Sequence, residues 1–366
     1  MIGTTRVSGG TITSSTAIKN TGVLYIEGTA QIEGSLYNGD LGGSSYSGVT
    51  YITGGTITVT AGNAIDNNRD SKIIMSGGTI ISTSGSYNYA IDNEDGNVSI
   101  SGGKISVTNP SVVNNDSGTV TISGTVEIEK TSGTTGPVIY NSYYADLTIS
   151  GGKITSTGYG VDNVGNLEIS GTVEITTSGS MPGLYNKSSG TITIKGGTVT
   201  SNSTSRATIE NYSSEAIVTI TGGTITSTGY NTILNSGKLE VSGGTVKGTA
   251  SSKATLYNNG VINISGTAKI SSGDGVTIYN KTGEIDISGG TITVGDSNAI
   301  NNFATLKIRG GTLTSNTTYP TVYNQSSGNL AISGGTIRNS MSGKYAVYND
   351  GGTATVTGGT ISKKNF

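Results

Sequence analysis

Three glutamates make the nearest approach to a catalytic set in this sequence: Glu127 and Glu129, with Glu174 two repeats further on. Glycosidases need paired carboxylates about 5 to 10 Å apart. The repeat described below sets Glu127 and Glu174 roughly 10 Å apart, so an inverting pair stays open. Little else points that way. The chain has no histidine and no cysteine, which removes imidazole bases and thiol nucleophiles. Glutamate on an exposed strand otherwise serves as a solvated face and a guard against aggregation. The expectation is a protein that is not an enzyme. The alternative is a polysaccharide lyase or glycoside hydrolase whose activity rests on loops such as 39–47 or 131–137.

Tyrosine offers the better chemistry. Tyr37, Tyr140, Tyr185, Tyr257, Tyr279, Tyr323 and Tyr348 each stand immediately before an asparagine. A tyrosine ring with its polar tip suits contact with a sugar ring or a protein partner. The structural alternative is that these rings stack on one another and shield the side of the fold. Towards the C-terminus the column reads Tyr257, Tyr279, Asn301, Tyr323, Tyr348, a nearly unbroken aromatic strip. In the first half the same column holds Asp66, Asp92 and Asp162. A metal role for Asp66 and Asp92 competes there with simple solubility. Thr-x-Thr pairs such as Thr56/Thr58 and Thr224/Thr226 suggest an ice-binding face, but Lys104, Lys153, Lys247 and Arg338 interrupt the column. Threonine is in any case a good exposed strand former.

The elements that position these residues follow from a repeat. Gly-Gly before Thr or Lys, or a lone glycine before Thr, recurs sixteen times, with the last glycine at 10, 28, 55, 78, 103, 124, 152, 171, 197, 223, 244, 266, 290, 311, 335 and 359. Spacings run from 18 to 28 residues. Apolar residues alternate before each corner, as in Val98/Ile100 and Ile285/Ile287, which marks a strand with one buried face. A further aliphatic follows the corner, such as Ile57 or Ile292. Next comes a small or β-branched residue, an aliphatic, a variable residue and an asparagine, as in Ala64-Ile65-Asp66-Asn67. The column reads Asn20, Asn38, Asn67, Asn93, Asn115, Asn141, Asn163, Asn186, Asn211, Asn235, Asn258, Asn280, Asn302, Asn324 and Asn349. The structural reading is an internal ladder: asparagine tolerates left-handed turns, and stacked amides hydrogen-bond from coil to coil. The variable residue before it should point outward. Three short strands per coil describe an all-β parallel solenoid of about sixteen coils.

Composition agrees. Of 366 residues 59 are glycine and 32% are hydrophobic, too few for a compact globule of this length, while 12% charge and regular Ile, Val and Thr argue against disorder. A formal charge of −2 disfavours nucleic acid as a partner. No apolar run is long enough for a membrane span, and Met1 to Arg6 lacks a signal-peptide core.

The motif Ile-Ser-Gly-Gly-Thr-Ile-Thr followed by Ala-Ile-x-Asn covers nearly the whole chain. It resembles the right-handed parallel β-helix proteins of the pectin-lyase-like superfamily, in particular repeats of bacterial surface proteins and adhesins and of carbohydrate-binding β-helices. The resemblance implies right-handedness and an extracellular or cell-surface location. Carbohydrate-binding members often carry Gly-Asp-Asp as calcium ligands; here the stretches read Ala61-Gly62-Asn63 and Gly295-Asp296-Ser297, with Ser272-Gly273-Asp274 the closest echo. Calcium prefers six to eight oxygens, so no cofactor is expected and calcium has weak support.

The resulting expectation is one β-helix domain over 1–366, a segment of a longer surface protein. It would act as an adhesive or carbohydrate-binding module through Tyr257, Tyr279, Tyr323, Tyr348, Tyr140 and Tyr185, with a polysaccharide, host glycan or surface protein as partner. A purely structural stalk is the rival. Neither end supplies a polar cap of the kind solenoids carry, which suggests end-to-end self-association as a further alternative.

Overall fold

Alternating aliphatics dictate short strands, and glycine dictates where they bend. In the computed structural model, which describes residues 3–40, 46–85, 88–109, 111–133 and 136–364, most turns carry a strand before the glycine corner, one after it and one ending in asparagine. Lys72–Met75, Thr79–Ser82 and Tyr89–Asn93 are one such set. Residues 41–45 and 134–135 of the two loops singled out above lie outside the described residues, as do 1–2 and 365–366. The described residues contain no helix and hence none able to cross a membrane.

The chain forms two compact units, Met1–Leu184 and Tyr185–Phe366. Each is a parallel β-solenoid. In the first, eight pre-corner strands from Thr4–Val7 to Asn166–Ile169 pair in parallel and without slippage. In the second, eight more run from Thr191–Ile194 to Thr353–Val356. Backbone groups that a lone strand would leave open are thus met by the turns on either side.

All sixteen corner glycines adopt φ between 56° and 86°. Gly78 shows why: at φ 77° a side chain is strained, and a Cβ would lie 2.5 Å from the Gly54 carbonyl of the preceding turn. Its neighbour Gly77 has the same difficulty, 2.5 Å from the Thr53 carbonyl, so the pair permits both the bend and the stacking. Inside, columns such as Ile73–Val98–Val120 and Ile80–Ile105–Ile128 stack fully buried.

The asparagines form the ladder. In the first unit each Nδ2 from Asn20 to Asn141 donates to the Oδ1 of the next asparagine, ending at Asn163, over 2.7–2.9 Å. In the second the same bond runs from Asn186 to Asn349 over 2.7–3.0 Å. The second amide hydrogen binds a nearby carbonyl, as in Asn93 to Gly96 at 3.0 Å. Buried amides demand such partners.

Two expectations need correction. No ladder asparagine is left-handed; among the described residues the non-glycine positions with positive φ are Asp70, Ser188 and Ser252. What asparagine contributes to the ladder is its side-chain amide. The three-strand rule also fails in the first turns, where the post-corner and asparagine strands merge into Thr11–Asn20 and Gln31–Asn38, joined through register shifts around Thr16. The intervening loop there is too short to separate them.

Candidate functional site

The variable position before each asparagine faces outward as its alternation requires, with exceptions at Asp162 and Glu210, which are 9% and 4% exposed. Glu210 is covered by Arg206, whose Nε and Nη2 reach its carboxylate at 2.8 and 2.5 Å. Along this column the tyrosines do not form one strip. Tyr257 and Tyr279 stack with ring centroids 5.2 Å apart and planes within 13°, and Tyr279 meets Phe303 at 5.2 Å. Asn301 breaks the column. Beyond it Tyr323, Tyr348 and Tyr345 form a second cluster at 5.5 and 5.7 Å. The Tyr323 hydroxyl donates to Asp350 at 2.8 Å, and that carboxylate raises the phenol's pKa.

Tyr140 and Tyr185 stand apart from both clusters. Tyr140 lies in register between Asn114 and Asp162. Tyr185 meets the edge of Tyr212 at 5.5 Å, with Lys187 and Arg206 at 5.6 and 5.9 Å from its ring.

Tyr257 and Tyr279 border a sizeable concavity. An open cleft of about 450 Å³ in the second unit lies against them. Its remaining walls come from the segments that precede the asparagine strands, among them Tyr230, Lys253, Asp274, Asp296 and Tyr319. Lys253 Nζ sits 4.5 Å above the Tyr230 ring, Ser251 donates to Asp274 Oδ2 at 3.1 Å, and Tyr319 is half exposed. Beneath the cleft a row of fully buried threonines braces the turns. Thr232, Thr255 and Thr277 each donate to a carbonyl of the following turn's post-corner strand (Lys247, Ser271 and Thr293) at 3.0, 2.9 and 2.7 Å. In the first unit Ala64, Ala90, Val112, Val138 and Gly160 at this position have no hydroxyl to make these bonds, while Ser35 donates to the Asn63 carbonyl of the following turn at 2.6 Å.

Sequence reasoning missed Tyr230 and Tyr319 because it followed the strand column. The signal lay in the segments of variable length, whose common edge brings their aromatics to one side. Asp274 and Asp296 were noticed only as weak calcium ligands.

The acidic residues have partners of their own. In the post-corner column Lys104, Glu127, Lys153 and Glu174 lie in register on four successive turns, so opposite charges alternate. Glu129 accepts from Lys104 at 3.0 Å and Ser106 at 2.8 Å, contacts that lower its pKa. Asp66 and Asp92 are neighbours in register and share the Asn63 amide at 2.7 and 3.1 Å, with Asn114 donating to Asp92 at 2.8 Å. Burial raises both carboxyl pKa values. Among the described residues no three acidic, histidine or cysteine side chains gather as metal ligands.

Searches for relatives returned no match among protein families, curated proteins or solved structures.

Proposed function

We propose that the chain is a non-enzymatic, cell-surface or extracellular β-helix that binds polysaccharide, in keeping with the pectin-lyase-like and adhesin repeats it resembles. The observation that carries this reading is the open cleft where Tyr257 and Tyr279 meet Tyr230 and Tyr319 beside Asp274, Asp296 and Lys253. Aromatic rings supply apolar contact for sugar C–H faces, while carboxylates and the ammonium group exchange hydrogen bonds with hydroxyls. The threonine row holds the floor rigid, which limits the ordering entropy that binding must overcome.

Affinity electrophoresis through gels containing a panel of polysaccharides tests it. Retardation of the wild-type chain is expected, weakened about tenfold in Kd for each lost ring in Tyr257→Ala, Tyr279→Ala or Tyr319→Ala. Tyr319→Ala alters a loop, so an unchanged melt separates binding from folding. A stalk without ligand is the rival, favoured by the stacking of Tyr257 on Tyr279, which occupies ring faces. Free migration through every gel would decide for the stalk.

A further inference from the structure

The cleft has a direction. Its lining comes from segments preceding five successive asparagine strands, Ile233–Asn235, Leu256–Asn258, Ile278–Asn280, Ile300–Asn302 and Val322–Asn324. These strands pair in strict order. Tyr230 belongs to the first of the five turns and Tyr319 to the last, so the cleft runs along the direction of stacking. Four steps of ~4.8 Å give it a length of roughly 19 Å.

We infer that this cleft takes a neutral, extended glycan with equatorial linkages, lying lengthwise at about one sugar per turn. The inference rests on the reading of the cleft as a glycan site and gives that site a ligand class. Within the cleft the stacked rings of Tyr257 and Tyr279, on successive turns, lie 5.2 Å apart. A pyranose joined through equatorial bonds advances by nearly this rise, so neighbouring sugars fall beside neighbouring rings of the pair. Axially linked chains coil and lose the match. An extended peptide advances only ~3.3 Å per residue and drifts out of phase within two turns. The backbone of the strands below is already paired to adjacent turns, so a peptide would also find no strand edge to join.

Charge narrows the class further. The cleft offers two carboxylates, Asp274 and Asp296, against one ammonium, Lys253, which already lies over Tyr230. Carboxylates accept from sugar hydroxyls and repel a uronate chain.

Isothermal titration with β-1,4-linked neutral oligosaccharides (the cello-, xylo- and manno- series, two to six sugars) tests length. Affinity for at least one series should climb to about four or five sugars and then level off. Malto-oligosaccharides of the same length, and oligomannuronates, which keep equatorial linkages but add a carboxylate to each ring, should bind about tenfold more weakly. The double variant Asp274→Asn/Asp296→Asn should close the gap for the uronates only. Preference for the malto series or for uronates, or affinity that stops rising at two sugars, overturns this inference and leaves glycan binding standing. Silence towards every oligosaccharide here and every polysaccharide in the gels overturns both.

Discussion

Asn301 and Asn302 are adjacent, chemically identical and on opposite faces of one strand, so replacing each with alanine isolates what the buried ladder contributes. Asn302 is fully buried. Its Nδ2 donates to Asn324 Oδ1 at 2.7 Å and to the Ala304 carbonyl at 2.8 Å, while its Oδ1 accepts from Asn280 at 2.8 Å. Asn302→Ala therefore strips a partner from these three groups and removes a longer contact, 3.4 Å, from the Ala304 N–H. At about 1 kcal/mol or slightly more for each, the loss should be roughly 3–4 kcal/mol. Asn301 only accepts from Gln325 at 2.8 Å on the outer face. Asn301→Ala should change stability by no more than about 0.5 kcal/mol. Urea unfolding followed by far-ultraviolet circular dichroism measures both. Hydrogen exchange of amides 278–280 and 322–324 shows whether the damage begins in the turns that bracket Asn302. Equal, small losses for the two variants would refute the claim that the ladder stabilises the fold.

Three further outcomes follow from single groups. Lys130 is buried, its Nζ donates to the Gly136 carbonyl at 2.9 Å, and desolvation lowers its pKa from 10.5 to about 8. The folded state then binds fewer protons between those values, so Lys130 makes stability rise with pH from about 8 to 10.5 and opposes folding by a constant amount below, on the order of 3 kcal/mol. Lys130→Met should be more stable at pH 7, and the difference from wild type should shrink across that window; a pH-independent difference in melting temperature would contradict this. Glu127→Lys would set three lysines in register, costing about 0.5–1 kcal/mol at low salt, and molar salt should restore most of it; no salt dependence of the loss counts against the charge ladder. Gly103→Ala forces a side chain into φ 84° with its Cβ 2.5 Å from the Gly78 carbonyl, and chemical denaturation should show a loss of about 2 kcal/mol or more; a neutral result would mean the corner can open.

The inward columns were legible because stacking forces the same solution on every turn. Glycine at each corner, aliphatics at alternate positions and asparagine at the ladder recur with the repeat, and a column of fifteen can be read without a structure. What escaped was set by single turns. The burial of Glu210 depends on Arg206 folding back over it, and the sharing of Asn63 between Asp66 and Asp92 depends on one loop residue reaching across two turns. The buried threonines were visible only as a small or β-branched position. Their hydroxyl bonds to the following turn are a matter of distance, which the periodicity does not contain.

That division bears on where the proposed site lies. An inward residue cannot be specialised for a ligand without breaking the column on both sides of it, as the Asn302 prediction supposes. The outward residue before each asparagine carries no such constraint, and it varies freely through Lys19, Tyr37, Asp66, Asn114 and Leu234. The preceding segment is freer still, since its length also changes. A site arises where both kinds of freedom coincide on neighbouring turns, and Tyr257 and Tyr279 do so beside Tyr230, Asp274, Asp296 and Tyr319. The rings of Tyr323 and Tyr348 pair with each other, and the Tyr323 hydroxyl is already held by Asp350. An aromatic strip alone therefore makes a tyrosine-lined flank, with Tyr345 and Tyr348 still exposed. The loops over Tyr257 and Tyr279 are what turn one part of that flank into a cleft.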